Sequence, residues 1–315
     1  MVVAIVRRVA ILVISVLVAS IVVFAFMAVL PGDPAQVALG VNATPELLAK
    51  TRQDFGLDRP LVEQYLSWMG GVLHGDFGRS YVTGEAIGPQ LLDRLGVTLW
   101  LVGAGMLVAL VLAVPFGALA AVWHRRSGGT AISGLSQLGV AVPAFLAGIL
   151  LVQVFAVQLR WLPSGGWTPP NQDTGEFLRG LILPALSLGL VQGAVLTRYV
   201  RSAVLDTLGQ DYLRTARSKG LRPYPALMRH GLRNAAVPVV TVLGLQLATL
   251  LIGAVVVERV FVLPGLGSML LDSVSARDLL SVQGIVLVLV VAVLVVNFVV
   301  DLLYAVIDPR LRAAR

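Results

Sequence analysis

Six long apolar runs constrain this chain more than any other feature of its sequence. They are Val9 to Leu30, Val97 to Val122, Ile132 to Leu159, Leu181 to Val200, Val237 to Val257 and Val282 to Ile307. Apolar runs of about 18 or more residues match a bilayer core about 30 Å thick. Only helices and closed barrels satisfy backbone groups in lipid, and these runs lack the alternation of barrel strands. The sequence therefore predicts an all-α, polytopic membrane protein with six transmembrane helices.

The composition supports this prediction, because 57% of the 315 residues are hydrophobic and only 13% are charged. In soluble domains about a quarter of the residues are charged. The first run is longer than a typical signal-peptide core and no Ala-x-Ala site follows it, which favours an uncleaved first span. The chain contains no cysteine, so disulfides, thiolate catalysis and cysteine-based metal sites are excluded.

The distribution of charged residues predicts the orientation, since short cytoplasmic loops gather Lys and Arg. If the N-terminus lies inside, the inner segments hold 15 of the 24 basic residues and only 4 of the 17 acidic residues. The inner side then carries a net charge of about +11 and the outer side about −4. Both termini are therefore expected in the cytoplasm. The overall charge of +7 reflects this topology and not nucleic-acid binding.

Residues 31–96 lie outside the spans and are predicted to form a small helical lobe on the extracytoplasmic face. Thr44 can cap a helix that begins at Pro45 and stops at Gly56. Pro60 can open a second helix with apolar residues at helical spacing. These residues are Leu61, Val62, Tyr65, Leu66 and Met69. An amphipathic approach to the second span then follows, formed by Ile87, Leu91, Leu92 and Leu95.

A second organised segment, residues 201–235, is expected on the cytoplasmic side. Its charges prohibit a buried span, yet apolar residues recur at helical spacing at Val204, Leu205, Leu208, Tyr212 and Leu213. Gly220 can stop that run before Pro223 and Pro225. The pattern predicts two short helices joined by a Gly/Pro elbow.

Several kinds of chemistry have no support in the sequence. No Gly-x-x-x-x-Gly-Lys-Ser/Thr phosphate loop occurs, so the chain cannot by itself be an ATPase, and the three histidines have no metal-binding spacing. Arg198 and Asp301 lie near inner span ends, where snorkelling or pairing explains them. Uncharged polar residues within the spans either bond between helices or line a wet pathway. The candidate pore-lining residues are Gln137, Gln153, Gln192 and Gln246.

Without a nucleotide site or intramembrane charges of its own, a transport protein must take energy from elsewhere. The basic segment 201–235 is where a separate motor could dock. The alternative is an anchor that touches anionic lipid, which would need the charges but not the interrupted helix pair. A secondary carrier would instead show inverted halves or intramembrane ion ligands, and an intramembrane enzyme would show a charged or nucleophilic pair within its spans.

The basic segment and several short motifs closely resemble those of bacterial ABC importer permeases. The resemblance is greatest to the B-type subunit of the dipeptide, oligopeptide and nickel permease family. The segment reads GQDYLRTARSKG from Gly209 to Gly220. The other motifs are PGDP at 31–34, GDFGRS at 75–80, RLGVTL at 94–99, WLP at 161–163, RNA at 233–235, PVVT at 238–241, PGLG at 264–267, DLLYA at 301–305 and DPR at 308–310. Each motif is weak alone, but their ordered succession through nearly the whole chain is specific.

The resemblance implies a type I importer permease whose coupling helix sits in a groove of an ATP-binding subunit. The coupling residues it implies are Asp211, Tyr212, Arg214, Thr215, Ala216, Lys219, Gly220 and Pro223. The chain departs from the general importer pattern, because Arg214, Thr215 and Ala216 stand where Glu-Ala-Ala is usual and the later proline arrives only at Pro238. Both departures look typical of the peptide-permease branch.

The helical spacing predicts that this segment presents one face to a partner. Tyr212, Thr215, Ala216 and Lys219 lie on neighbouring turns, and Gly220 allows a sharp exit. The small side chain of Ala216 is expected to permit close approach of the ATP-binding subunit. On the other side of the membrane, residues 31–96 and 258–281 are expected to receive a substrate-binding protein. The candidate contacts there are Asp76, Arg79, Pro264 and Gly265.

The resemblance also implies an organisation and a set of partners. The expected parts are an N-terminal span (1–30), an extracytoplasmic lobe (31–96), a type 1 transmembrane core (97–307) containing the coupling segment (201–238), and a cytoplasmic tail (308–315). The expected partners are a homologous second permease, two ATP-binding subunits or one fused ATPase, a substrate-binding protein and membrane lipid. No catalytic residue, metal or cofactor is expected in this chain, because ATP and Mg²⁺ would bind partner subunits.

The cargo is the least determined part of this interpretation. Di- and oligopeptides are expected before nickel, because the spans offer no His or carboxylate cluster suited to a transition metal. Nickel, haem and other small solutes stay open as alternatives within the family, since specificity can lie mainly in the binding protein. The expected location is the bacterial inner membrane.

Overall fold

The computed structural model describes residues 2–30, 32–221, 225 and 227–307. Within these ranges the regular structure is helical, apart from one isolated bridge between Arg79 and Ala86. The α-helices are α1 (Val2–Val29), α2 (Pro34–Leu39), α3 (Pro45–Asp54), α4 (Leu61–Leu73), α5 (Ile87–Val122), α6 (Ser127–Ala141), α7 (Ala144–Leu151), α8 (Thr174–Leu208), α9 (Asp211–Ser218), α10 (Leu232–Val260), α11 (Leu266–Ser275) and α12 (Leu279–Ile307). The prediction of an all-α protein is confirmed.

Five of the helical segments are long and apolar enough to cross a membrane. They are Val6–Val29, Ile87–Val122, Thr174–Leu208, Pro238–Val260 and Leu279–Leu302. A sixth span results if α6 and the following Ala144–Gln158 segment, which meet at an angle of 98°, are counted together. The predicted six spans therefore correspond to five continuous helices and one bent pair.

The sequence predicts a single helix over the run Ile132 to Leu159, but the structure divides this run into α6 and α7 at a bend. Val142, the residue before Pro143, adopts an extended conformation (φ −87°, ψ 122°). The ring of a proline disfavours the helical region for the residue that precedes it, so α6 ends at Ala141. After α7, residues Val152–Gln158 form a wider π-helical segment.

The first compact unit comprises residues 1–98 and 264–295. In this unit the predicted caps are confirmed: the Thr44 hydroxyl accepts a hydrogen bond from the Leu47 amide at the start of α3, and Pro60 precedes α4. The α4 helix packs on α1, where the Tyr65 and Ser20 hydroxyls lie 2.9 Å apart. The core of the unit is formed by Ile87, Leu91, Leu266, Met269 and Ile285.

The predicted amphipathic approach to the second span forms the first part of α5. Ile87 is the first residue of this helix, which continues without a break to Val122. Ile87 and Leu91 are buried in the core of the first unit, whereas Leu92 is 73% exposed. Burial of one stripe of this helix explains why the amphipathic pattern was visible.

The second compact unit comprises residues 99–263 and 296–315. Its central element is α8, which packs against α5, α6, α7 and α10. Small residues let α5 and α8 approach closely, because a Cβ atom at Gly189 would stand 2.5 Å from the Val108 side chain. Close packing at small residues is the usual way in which membrane helices associate.

The α8 helix is much longer than the predicted span Leu181 to Val200. Its 35 residues extend about 52 Å at a rise of about 1.5 Å per residue, which exceeds the hydrocarbon core. Val204, Leu205 and Leu208 therefore end α8 and do not begin a separate helix. The first of the two expected short helices is α9, whereas residues 222–224 and 226, where the second would begin, lie outside the described residues; the next described element, Leu227–Gly231, runs directly into α10.

Candidate functional site

The α9 helix joins the end of α8 to the elements that lead into α10. Its eight residues follow a turn in which the Gly209 amide donates to the Leu205 carbonyl and the Gln210 amide donates to the Thr207 carbonyl. Leu213 is fully buried, and it packs with Ala216 against Leu208 and Leu221. An isolated helix of this length is not stable in water, so the buried face holds α9 in place.

The opposite side of α9 is exposed and charged. The side chains of Asp211 and Arg214 retain 97% and 69% of their accessible surface, and their charged atoms lie 3.5 Å apart. Tyr212, Thr215 and Lys219 are also exposed. A solvated ion pair of this kind contributes little to stability, so these charges remain available to a binding partner.

Ala216 does not lie where the sequence interpretation placed it. It is 9% exposed and packs in the same cluster as Leu213, on the side of α9 that faces the rest of this chain. Residues three apart share one face of a helix, so Ala216 follows Leu213 inward, while Tyr212 and Thr215 share the outer face. Lys219 is exposed because it comes just after the last residue of α9. The small side chain of Ala216 therefore allows close packing within this chain, and its contact with a partner stays a prediction.

The end of α9 is shaped by Gly220, whose φ of +93° lies in the left-handed region. The Lys219 amide donates to the Thr215 carbonyl at 3.2 Å, and the Leu221 amide donates to the Ala216 carbonyl at 3.3 Å. No atom lies within 4 Å of a Cβ built on Gly220, so the backbone conformation and not the available space requires glycine here. The sharp exit is present. Pro223 lies outside the described residues.

Gly231 packs against α9, and the sequence interpretation did not identify this glycine as part of the site. A Cβ atom at this position would stand 3.0 Å from Leu227, 3.1 Å from Leu213 and 3.1 Å from Thr207. Three elements therefore meet at one point: the end of α8, α9 and the π-helical turn Leu227–Gly231. The only sequence signal was a glycine between His230 and Leu232, which is too little to identify such a contact.

The candidate binding-protein contacts belong to the first unit. Asp76, Arg79 and Pro264 are exposed, whereas Gly265 is buried. The Asp76 carboxylate accepts from the Gly78 amide at 2.9 Å, and the Arg79 guanidinium donates to the Gly84 carbonyl at 3.2 Å. Gly265 cannot present its surface to a partner, because it is the N-cap of α11 and its neighbour Leu266 donates to the Thr98 hydroxyl.

Asp278 and Tyr81 organise the same unit and were not singled out from the sequence. The Asp278 carboxylate accepts from the Tyr81 amide at 3.2 Å and from the Ser281 hydroxyl at 2.6 Å, which ties the 79–86 loop to α12. The Tyr81 ring stacks on Phe55 with centroids 4.4 Å apart. Burial raises the pKa of the Tyr81 phenol above 10.0, and the negative charge of Asp278 adds to this effect.

The four candidate pore-lining glutamines lie on different elements. Gln137 on α6 and Gln153 in the π-helical segment are exposed, whereas Gln192 on α8 and Gln246 on α10 are buried. The Nε2 atom of Gln192 is buried without a hydrogen-bond partner in the part of the chain that the structure describes. Gln137 shares a polar cavity with Arg198 and Arg201. The four glutamines therefore differ in exposure, and their role in lining a pathway stays a prediction.

Comparison with protein-family models matches both parts of the chain. The model described as "Binding-protein-dependent transport system inner membrane component" matches residues 113–313. The model for the N-terminal region of such membrane components matches residues 1–102. Together they account for nearly the entire sequence.

Curated relatives match over the same length. The glutathione transport system permease protein GsiC of Escherichia coli (strain K12) is 39% identical over 308 residues, which cover 98% of both chains. The protein of the same name from Salmonella typhi is 41% identical over 298 residues, which cover 95% of both chains. Among solved structures, the inward-facing MetNI methionine ABC transporter matches with a TM-score of 0.56 and 16% identity, over 69% of this chain and 96% of that chain. At this identity the structural match supports the fold alone.

Proposed function

The chain belongs to the family of inner-membrane components of binding-protein-dependent transport systems, and we propose that it forms half of the translocation pore of an ATP-driven importer for short peptides. It is a multi-pass ABC importer permease with the type I fold. In this proposal a homologous second permease completes the pore. Two ATP-binding subunits, or one fused ATPase, hydrolyse ATP with Mg²⁺, and a substrate-binding protein delivers the cargo.

The observation that carries the proposal is the construction of α9. Its exposed face bears Tyr212, Arg214, Thr215 and Lys219, while Leu213 on its buried face is fixed against the rest of the chain. A partner that pushes on the exposed face therefore acts on a helix that is packed against the rest of this chain. This is the arrangement expected of a joint between a membrane subunit and an external motor.

The orientation follows from the charge distribution. The inner segments of the proposed topology include α9 and hold 15 of the 24 basic residues, so both termini and α9 face the cytoplasm, where ATP is available. Residues 31–96 and 258–281 are extracytoplasmic in this proposed topology, and they include the exposed Asp76, Arg79 and Pro264. These three residues form part of the surface that receives the binding protein in this proposal.

The proposed cargo is a di- or oligopeptide, and glutathione is included as a short peptide. The curated relatives described above are named as glutathione permeases, which supports a peptide cargo for this chain. Nickel and haem are the alternatives within the family. Direct measurement of uptake distinguishes these two cargoes from peptides.

The test is uptake into proteoliposomes that contain the whole complex, with ATP enclosed and loaded binding protein outside. Labelled glutathione, a dipeptide, nickel and haem are compared with and without ATP. We expect ATP-dependent uptake of at least one peptide and no ATP-dependent uptake of nickel or haem. Uptake of nickel or haem without uptake of any peptide would contradict the proposed peptide cargo. Peptide uptake that proceeds equally well without ATP and without the ATPase would contradict the proposal of an ATP-driven importer.

A further inference from the structure

A polar cavity of about 320 Å³ lies between α6 and α8 in the second unit. It is lined by Ser133, Ser136, Gln137, Arg198, Tyr199, Arg201 and Ser202. Two of these residues are arginines and none is acidic. Arg198 and Arg201 have no ion pair with any residue that the structure describes, and the Nε atom of Arg201 is buried without a hydrogen-bond partner. The cavity therefore offers positive charge and unused donors to an anion.

Two of the three serines in the lining, Ser133 and Ser136, favour a ligand that also carries hydroxyl groups. The Ser133 hydroxyl donates to the Gly129 carbonyl and the Ser136 hydroxyl donates to the Ser133 carbonyl, both at 2.9 Å. Their hydroxyl hydrogens are thus engaged within α6, and their oxygen atoms remain as acceptors. A ligand with a phosphate for the arginines and hydroxyl donors for the serines matches this set.

An apolar groove of about 410 Å³ begins where the polar cavity ends. Ser136 lines both, and Thr197 in the groove is the neighbour of Arg198 in the cavity. The floor of the groove is made of small residues, since a Cβ atom at Gly139 would stand 2.8 Å from the Cβ of Ala194. Leu135 and Leu190 stand at its edges with 68% and 42% of their surface exposed.

The position of the cavity along α8 agrees with the level of lipid headgroups. The helix is about 52 Å long, so about 20 Å of it must lie beyond a hydrocarbon core of about 30 Å. Arg201 and Arg198 lie seven and ten residues before the last residue of the helix, Leu208. Long basic side chains at such a level place their charge at the membrane interface.

We propose that the cavity and the groove together bind one anionic phospholipid, with its phosphate at Arg198 and Arg201 and one acyl chain in the groove. A basic pocket between membrane helices is suited to an anionic headgroup. A zwitterionic headgroup or a transported peptide brings an ammonium group, for which the cavity has no carboxylate. In the orientation proposed above, the lipid belongs to the cytoplasmic leaflet.

The test is a titration of the purified whole complex in detergent with phosphatidylglycerol, followed by native mass spectrometry. Arg198→Gln and Arg201→Gln should each weaken phosphatidylglycerol binding about fivefold, because one basic residue near an anionic lipid contributes about that factor. The double variant should lose about 25-fold on the same basis. Arg125→Gln, which removes an exposed arginine outside the cavity, should leave binding within about twofold.

The acyl-chain part of the site has a closely matched pair of variants. Leu135 lines the groove and Leu138 does not, yet both lie on α6 and both are 68% exposed. We expect Leu135→Trp to fill the groove and to weaken the binding of phosphatidylglycerol by about tenfold or more, on the scale of one buried side chain. Leu138→Trp should have no such effect. Equal effects of both variants would overturn the groove assignment.

Competitors separate the lipid from other anions. Phosphatidylcholine with the same acyl chains should bind more weakly, because the cavity has no carboxylate for its choline ammonium, and the arginine variants should weaken its binding less than that of phosphatidylglycerol. Inorganic phosphate at millimolar concentration should not displace phosphatidylglycerol, since it cannot occupy the groove. Displacement by phosphate alone would identify a free-anion site, and displacement by glutathione or a dipeptide would place the cavity on the translocation path. Either result, or unchanged binding in the double arginine variant, would overturn the proposal.

Discussion

Replacement of Leu213 by alanine is the sharpest perturbation of the proposed coupling joint. Leu213 is fully buried, and its Cδ1 atom lies 3.1 Å from the position of a Cβ on Gly231. Leu213→Ala removes the atoms that fill the space between α9 and the turn Leu227–Gly231. Leu-to-Ala changes in packed cores cost about 2 to 5 kcal/mol, because a cavity adds to the lost burial.

This cost falls on a short element that little else holds. The eight residues of α9 are too few for a stable isolated helix. The exposed Asp211–Arg214 pair adds little, so a loss of about 2 kcal/mol should increase local opening of α9 about 30-fold. The long apolar spans are untouched, and insertion into the membrane should be normal.

The assay combines hydrogen exchange with transport in the reconstituted complex. Amide exchange in residues 211–218 should rise about 30-fold, while exchange in α8 before residue 200 stays unchanged. ATP hydrolysis should continue, and ATP-dependent uptake should fall to a small fraction of that of the parent. The control is Met228→Ala, which truncates a 46% exposed side chain on the neighbouring turn and should cost less than about 0.5 kcal/mol. Unchanged exchange and uptake in Leu213→Ala, or equal losses in Met228→Ala, would refute the reasoning.

Three further predictions concern other sites. Gly220→Ala should lower the free energy of unfolding by about 1 to 2 kcal/mol, because Gly220 has a left-handed φ of +93°. Gly220→Pro should uncouple ATP hydrolysis from uptake without loss of membrane insertion. Normal uptake by a well-expressed Gly220→Pro variant would contradict this prediction. Because the folded-state pKa of Tyr81 lies above 10.0, its contribution to stability is complete below that pH and is lost as the pH rises through the raised pKa. An ultraviolet titration compared with Tyr81→Phe should show this late ionisation, and Asp278→Ala should bring it to lower pH. Gln192→Leu should leave the free energy of unfolding unchanged or raise it by about 1 kcal/mol, because it removes a buried amide that has no hydrogen-bond partner among the described residues. A clear fall in the melting temperature would show that this amide is hydrogen-bonded in the assembly.

The long spans were predictable because length and apolarity suffice to specify them in a bilayer. The local caps were predictable for a similar reason: Thr44 bonds a backbone amide three residues away, and Pro60 acts through its own geometry. Such features depend on short stretches of sequence. They need no information about distant neighbours.

The bend at Pro143 shows where local rules fail. Pro115, Pro184 and Pro238 all lie inside helices that continue through them, whereas Pro143 separates α6 from α7 at an angle of 98°. The proline removes one backbone donor in every case. Whether the helix then kinks slightly or breaks depends on the packing around the proline. At the start of α7, the Ala144 carbonyl accepts a hydrogen bond of 2.6 Å from the Ser187 hydroxyl on α8. No sequence pattern predicts such a contact.

The faces of α9 were only half predictable. Helical spacing correctly separated Leu213 from Tyr212, Thr215 and Lys219, but it assigned Ala216 to the outer face because alanine is small and neutral in the pattern. The structure places Ala216 with Leu213, since the two are three residues apart and the end of α8 lies on that side. Gly231 was missed because its role exists only when three separate elements meet.

The construction of α9 also decides how force would pass through this chain. Its exposed charges are solvated and replaceable, so they can select a partner but cannot by themselves move a span. Leu213 and Gly231, by contrast, connect α9 to Thr207 near the end of α8 and to Leu227 in the turn that leads into α10. A displacement of α9 must therefore either open this contact or move the ends of two membrane-length helices. Opening costs the few kcal/mol expected for a buried leucine, so the spans move instead of α9 detaching wherever their movement costs less than that.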